Sequence, residues 1–124
     1  MSKTILSDQR DDYLLIKSSG VIEDVEEYTS LTAEYYGEIS RHGAKKTIID
    51  ERELEFPGDI YDQYAQAKYL DEELPFEIRF LKLAIVVDIK HKEAGEFWQD
   101  YCHNRGVPFR IFHSMEDAVA FMSE

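Results

Sequence analysis

The chain has 124 residues, 44% hydrophobic and 13% aromatic, which is enough to build one ordinary domain core. Its formal net charge is −12, and both halves are acidic, with 7 basic and 15 acidic groups in residues 1–62 and 7 and 11 in residues 63–124. That balance argues against nucleic acid and against anionic lipid surfaces, since both require clustered Lys and Arg.

The N-terminal stretch MSKTILSDQRDD lacks the apolar stretch of a signal peptide, and no run approaches the roughly 20 apolar residues of a membrane span. The expectation is a single soluble, cytoplasmic domain over 1–124. Thr4-Ile5-Leu6 and Tyr13-Leu14-Leu15-Ile16-Lys17 read as two short strands around a polar turn, the second ending at Gly20. Asp24 is a helix N-cap, with Glu27 three residues on as in a capping box. The helix runs to about Arg41, with Val25, Tyr28, Leu31, Tyr35 and Ile39 on its apolar face, and Gly43 stops it.

Lys46-Thr47-Ile48-Ile49-Asp50 reads as a short buried strand. A second helix is predicted from near Asp59 to Leu74, with Pro75 ending it. Leu83-Ala84-Ile85-Val86-Val87-Asp88 is a continuous apolar run, as in a strand covered on both faces. A helix follows from Lys92 to Arg105, with Ala94, Phe97, Trp98, Tyr101 and Cys102 on one face and Gly106 as terminator. Phe109-Arg110-Ile111-Phe112 is a last strand, and Ser114 caps a short helix holding Ala118, Val119 and Met122. The order is ββαβαβαβα. Strands alternating with helices of this length imply an α/β fold with a mixed, mostly parallel sheet and helices packed on it.

Few residues point to chemistry. There is no GxGxxG, no Walker lysine loop and no GxSxG, and no serine or threonine occurs between Thr47 and Ser114. His42, His91, His103 and His113 form no pair at zinc spacing, so neither a metal nor a cofactor is expected. Cys102 is the sole cysteine; it allows no intrachain disulfide and reads as a buried thiol beside Trp98. Asp50 and Asp88 both end predicted strands. The phosphoacceptor arrangement they invite lacks its partners, because Phe112-His113 stands where a lysine would, and each reads as a turn or cap carboxylate. No catalytic constellation emerges, and the chain reads as a non-enzyme.

The strand–helix junction IIDERELEFPGDIY (48–61) is the strongest binding candidate, because helix N-termini present unpaired amides. Asp50, Arg52, Phe56, Gly58, Asp59 and Tyr61 form this candidate contact surface. Asp59 has two readings, as an ordinary N-cap and as a permanent stand-in for a phosphate. Glu51, Glu53 and Glu55 surround Arg52 in what reads as an acidic loop that repels free anions. Tyr64, Lys68 and Phe76 are the candidate lining of an apolar pocket beneath the second helix, where core packing is the competing reading.

The segments YLLIKSSGVIEDVEEY (13–28), KTIID (46–50), LAIVVD (83–88) and GVPFRIFHSMEDAVAFM (106–122) together resemble the STAS domain, the anti-sigma-factor-antagonist type of module. The SpoIIAA-like branch is the closer match, and it is similar in outline to the lipid-binding CRAL-TRIO fold. The resemblance implies a regulatory module with a protein partner. It also implies a serine at the start of the second helix, within an Asp-Ser-Ser-Gly pattern, phosphorylated to control that partner. The corresponding positions are Gly58-Asp59-Ile60-Tyr61, so the serine switch does not carry over. A carrier of a lipid or other small apolar ligand is the alternative reading, and a homodimer is compatible with either.

Overall fold

The computed structural model describes residues 3–55, 79–104, 106 and 109–124, and only the backbone of Lys3, Val25, Ala94, Phe97, Trp98 and Tyr101. The helix expected over 59–74 lies outside the described residues, as do Phe56, Gly58, Asp59, Tyr61, Tyr64, Lys68 and Phe76.

Strands β1 (Lys3–Gln9), β2 (Leu14–Val21), β3 (Lys46–Glu55), β4 (Lys82–Val86) and β5 (Phe109–Phe112) form one sheet in chain order. β1 runs antiparallel to β2, and every other pairing is parallel. Helix α1 (Val25–His42) connects β2 to β3, and α2 (Lys92–His103) connects β4 to β5, after a 3-10 turn at Ile89–His91. Helix α3 (Met115–Met122) follows the last strand. No helix among the described residues is long and apolar enough to cross a membrane.

Side chains on a strand alternate between faces, and that alternation divides the core in two. Leu14 and Ile16 of β2 and Ile49 of β3 pack with Leu31, Tyr35 and Ile39 of α1, and with Cys102 at the end of α2. Ile48, Ala84 and Val86 point the other way, onto Ala118 and Met122 of α3. Helices thus cover both faces of the parallel part of the sheet, which is why β4 reads as an unbroken apolar run. Gly95 lets α2 approach β5 closely, since a Cβ there would meet Ile111 Cγ2 at 3.0 Å.

Local chemistry fixes the helix ends. Asp24 caps α1 by accepting from the Glu27 amide at 2.8 Å. The capping box is closed only in part, because Glu27 reaches back to the amide of Glu23 rather than to that of Asp24. At the other end Gly43 adopts φ 62°, and its amide and that of Ala44 satisfy the carbonyls of Ser40 and Ile39. Ser114 caps α3 as its position predicts. Lys46 and Lys82 then donate to the carbonyls of Met122 and Glu124, placing cations where the helix dipole is negative.

The strands at the start of the chain and at 46 run longer than their apolar signal. β2 continues through Lys17-Ser18-Ser19, and Gly20 lies inside it at φ 117° instead of ending it. β3 continues through Asp-Glu-Arg-Glu-Leu-Glu, so the stretch that reads as an acidic loop is strand. Backbone pairing with a neighbour holds these polar residues in extended form, and hydrophobicity does not register it.

Leu31 is fully buried where α1 meets the sheet. Replacing it by alanine is expected to cost about 2–5 kcal/mol of unfolding free energy, measured by urea denaturation.

Candidate functional site

The second half of β3 carries the densest chemistry among the described residues. Up to Asp50, β3 is flanked by β2 and β4; beyond it, among the described residues, the pairing with β2 alone continues, to Glu55 opposite Val21. The β2–β3 register jumps here, from Lys17 opposite Asp50 to Ser19 opposite Glu53. Glu51 and Arg52 therefore both face Ser18, a β-bulge that inserts one residue and reverses the alternation. That reversal lets both Glu51 and Leu54, three residues apart, point toward the α1 side.

On the opposite side of β3, Asp50 is 5% exposed and accepts from Arg52 Nε at 2.9 Å and from Nη2 at 2.8 Å. The Arg52 backbone N–H donates to the same carboxylate at 3.1 Å. Burial acts to raise the Asp50 pKa, but the Arg52 guanidinium and amide, helped by Lys17, outweigh it and hold the group below the usual carboxylate range. The Arg52 side chain is 41% exposed, so the pair offers a guanidinium edge at the surface. Beside it, Lys17 and Glu53 form an exposed ion pair at 2.8 Å, a geometry that adds little stability.

Glu51 is enclosed, at 2% exposure. Tyr28 Oη donates to both its oxygens, at 2.9 and 3.0 Å, and Tyr35 Oη donates to Oε2 at 2.7 Å. Ser18 Oγ lies 2.7 Å from Tyr35 Oη and 3.4 Å from the Asp50 carbonyl. With the Tyr35 proton committed to Glu51, the Ser18 hydroxyl donates to Tyr35, and the chain Ser18–Tyr35–Glu51–Tyr28 closes. Burial pushes the Glu51 carboxyl up to about 7; the two phenols pull it down in part, and the Asp50 charge raises it further.

The structure brings Asp50 and Arg52 together and leaves the other predicted contact and pocket positions outside the described residues. Asp88 caps the 3-10 turn by accepting from the Lys90 amide, the role its position predicts. Cys102 is buried. His103 Nε2 lies 2.7 Å from the Phe109 carbonyl, and His113 Nδ1 lies 3.2 Å from that of Val87.

The sequence reading missed the Glu51 cluster, although its traces were present. Leu14, Ile16 and Ser18 keep one period-two register, as do Thr47, Ile49 and Glu51. Two tyrosines seven residues apart on an apolar helix face also demand polar partners for their hydroxyls.

No protein-family model matches the chain, and no curated protein matches it significantly. Solved structures do. An anti-sigma factor antagonist from Mycobacterium paratuberculosis superimposes with a TM-score of 0.61 at 18% identity, over 99% of this chain and 96% of that one. An uncharacterised DUF3478-family protein with a SpoIIAA-like fold, from Shewanella loihica PV-4, gives a TM-score of 0.50 at 20% identity, over 98% and 93%. The fold is STAS/SpoIIAA-like, as the sequence resemblance implies.

The raised Glu51 pKa has a signed consequence for stability. Below pH 4.5 the folded and unfolded chains both hold the proton; from 4.5 to about 7 only the folded chain does, so this group's contribution falls as pH rises. The full displacement corresponds to about 3 kcal/mol. Glu51→Gln keeps the shape and cannot titrate. Its stability relative to wild type is expected to rise by that amount between pH 4.5 and about 8 and then level off, read from urea melts across pH.

Proposed function

We propose that this chain is a non-enzymatic, STAS-like regulatory module that works by binding another protein. Its contact surface is the far end of β3 and the junction after it: Asp50, Arg52, Phe56, Gly58, Asp59 and Tyr61. The observation that carries this reading is the match, along nearly the whole of both chains, to a protein described as an anti-sigma factor antagonist. The exposed guanidinium edge of Arg52, braced by buried Asp50, adds a rigid cation at that end of the sheet. Rigid, pre-ordered charged groups suit recognition because little side-chain entropy is lost on binding.

Control of this module does not run through serine phosphorylation at the junction, because no serine or threonine lies between Thr47 and Ser114. Asp59 supplies a fixed negative charge there.

Affinity capture from extracts of the source cell, with the wild-type chain and with Arg52→Ala and Asp59→Ala/Tyr61→Ala variants, tests the reading. A partner held by the wild type and bound roughly tenfold or more weakly by the variants is the expected result. An identical set of captured proteins for all three chains would contradict it.

A further inference from the structure

The Ser18–Tyr35–Glu51–Tyr28 cluster joins three elements at one buried point. Ser18 belongs to β2, Tyr28 and Tyr35 to α1, and Glu51 to β3 at its bulge. The two tyrosines lie about two turns apart on α1, and their hydroxyls converge on a single carboxyl group. Among the described residues, no cation faces Glu51 on this side of the sheet. The nearest in sequence, Arg52, is turned away and bound to Asp50 through two nitrogens. Lys17 of β2 likewise serves Glu53. The charged groups around Glu51 are therefore the Asp50 carboxylate, which opposes its ionisation, and the already committed Arg52. The titratable groups facing it from α1 are the two phenols. β4 brings no ionisable side chain here, since its pairing with β3 ends at Val86 opposite Asp50.

We propose that this cluster is a proton-operated latch, which holds the N-terminal half of α1 tightly on the bulge of β3 when Glu51 is protonated and loosens it when Glu51 ionises.

The chemistry of the two states differs in one proton. Protonated Glu51 is neutral and can remain in a dry site, with each phenol donating or accepting as its neighbours require. Ionised Glu51 is a buried anion whose donors among the described residues are hydroxyls, and it lowers its free energy by admitting water. Water enters most easily where the hydrogen-bonded ladder is already disrupted, and here that place is the bulge. The carboxyl titrates near neutrality, so the latch works within the ordinary cellular pH range. β3 continues from this point to Glu55, so opening of the latch is positioned to alter the last residues of that strand. The latch does not depend on the partner-binding reading, because it is a property of the isolated chain.

Amide hydrogen exchange on the intact chain tests it, with protection factors corrected for the intrinsic pH dependence of exchange. In the wild type, protection across the first half of α1 is expected to fall roughly tenfold or more between pH 5.5 and 8.5, up to a bound of about 30-fold, the part of the carboxyl displacement that falls within this window. Glu51→Gln, permanently neutral, should keep its protection over the same range. Equal protection at both pH values in the wild type, or the same fall in Glu51→Gln, would overturn the proposal. Should Glu51→Gln fail to fold, Tyr28→Phe serves instead. It removes one donor from the carboxylate, so the fall should begin at higher pH, and an unchanged onset would be equally contrary.

Discussion

A single buried carboxyl, Glu51, ties the first crossover helix to the sheet at the place where the sheet changes its pattern. Two phenols from α1 reach it, a hydroxyl from β2 backs one of them, and the alternation that turns Ile49 inward turns Glu51 inward as well. Without that bulge the alternation of β3 would continue, and Leu54 would leave the core it shares with Ile22 and Leu31. The extra residue thus returns an apolar side chain, Leu54, to the face that already holds the acid three positions earlier.

The same strand manages opposite charges in opposite ways. Asp50 and Glu51 are adjacent and both buried, yet their environments push their pKa values apart. Asp50 has a guanidinium and an amide and stays ionised; among the described residues Glu51 has neutral donors alone, and it lies against the Asp50 charge. Separating two adjacent carboxyls onto two faces of a strand is what allows one to brace a surface arginine while the other retains a proton near neutrality.

Much of the fold was legible in the sequence because it rests on apolar periodicity and capping. The α1 face of Leu31, Tyr35 and Ile39, the terminator Gly43, the run Leu83–Val86 and the cap Ser114 all appear where their patterns place them. The polar extensions of β2 and β3 were not legible, since Lys17-Ser18-Ser19 and Asp50-Glu51-Arg52-Glu53 owe their extended form to cross-strand pairing. The candidate site was half legible. Asp50 and Arg52 were named from the strand end, but Glu51 read as one member of an acidic loop. A bulge cannot be counted from one strand alone, because it is a mismatch between two.

The central claim is that Glu51 keeps its proton to near-neutral pH beneath α1. Carbon-13 NMR titration of side-chain carboxyls in the intact chain, with Glu51 assigned by its absence in Glu51→Gln, measures this directly. The account predicts a midpoint of about 7. A midpoint at or below 4.5, the ordinary value for the group, would mean that Glu51 ionises freely and that neither the buried acid nor the latch built on it exists.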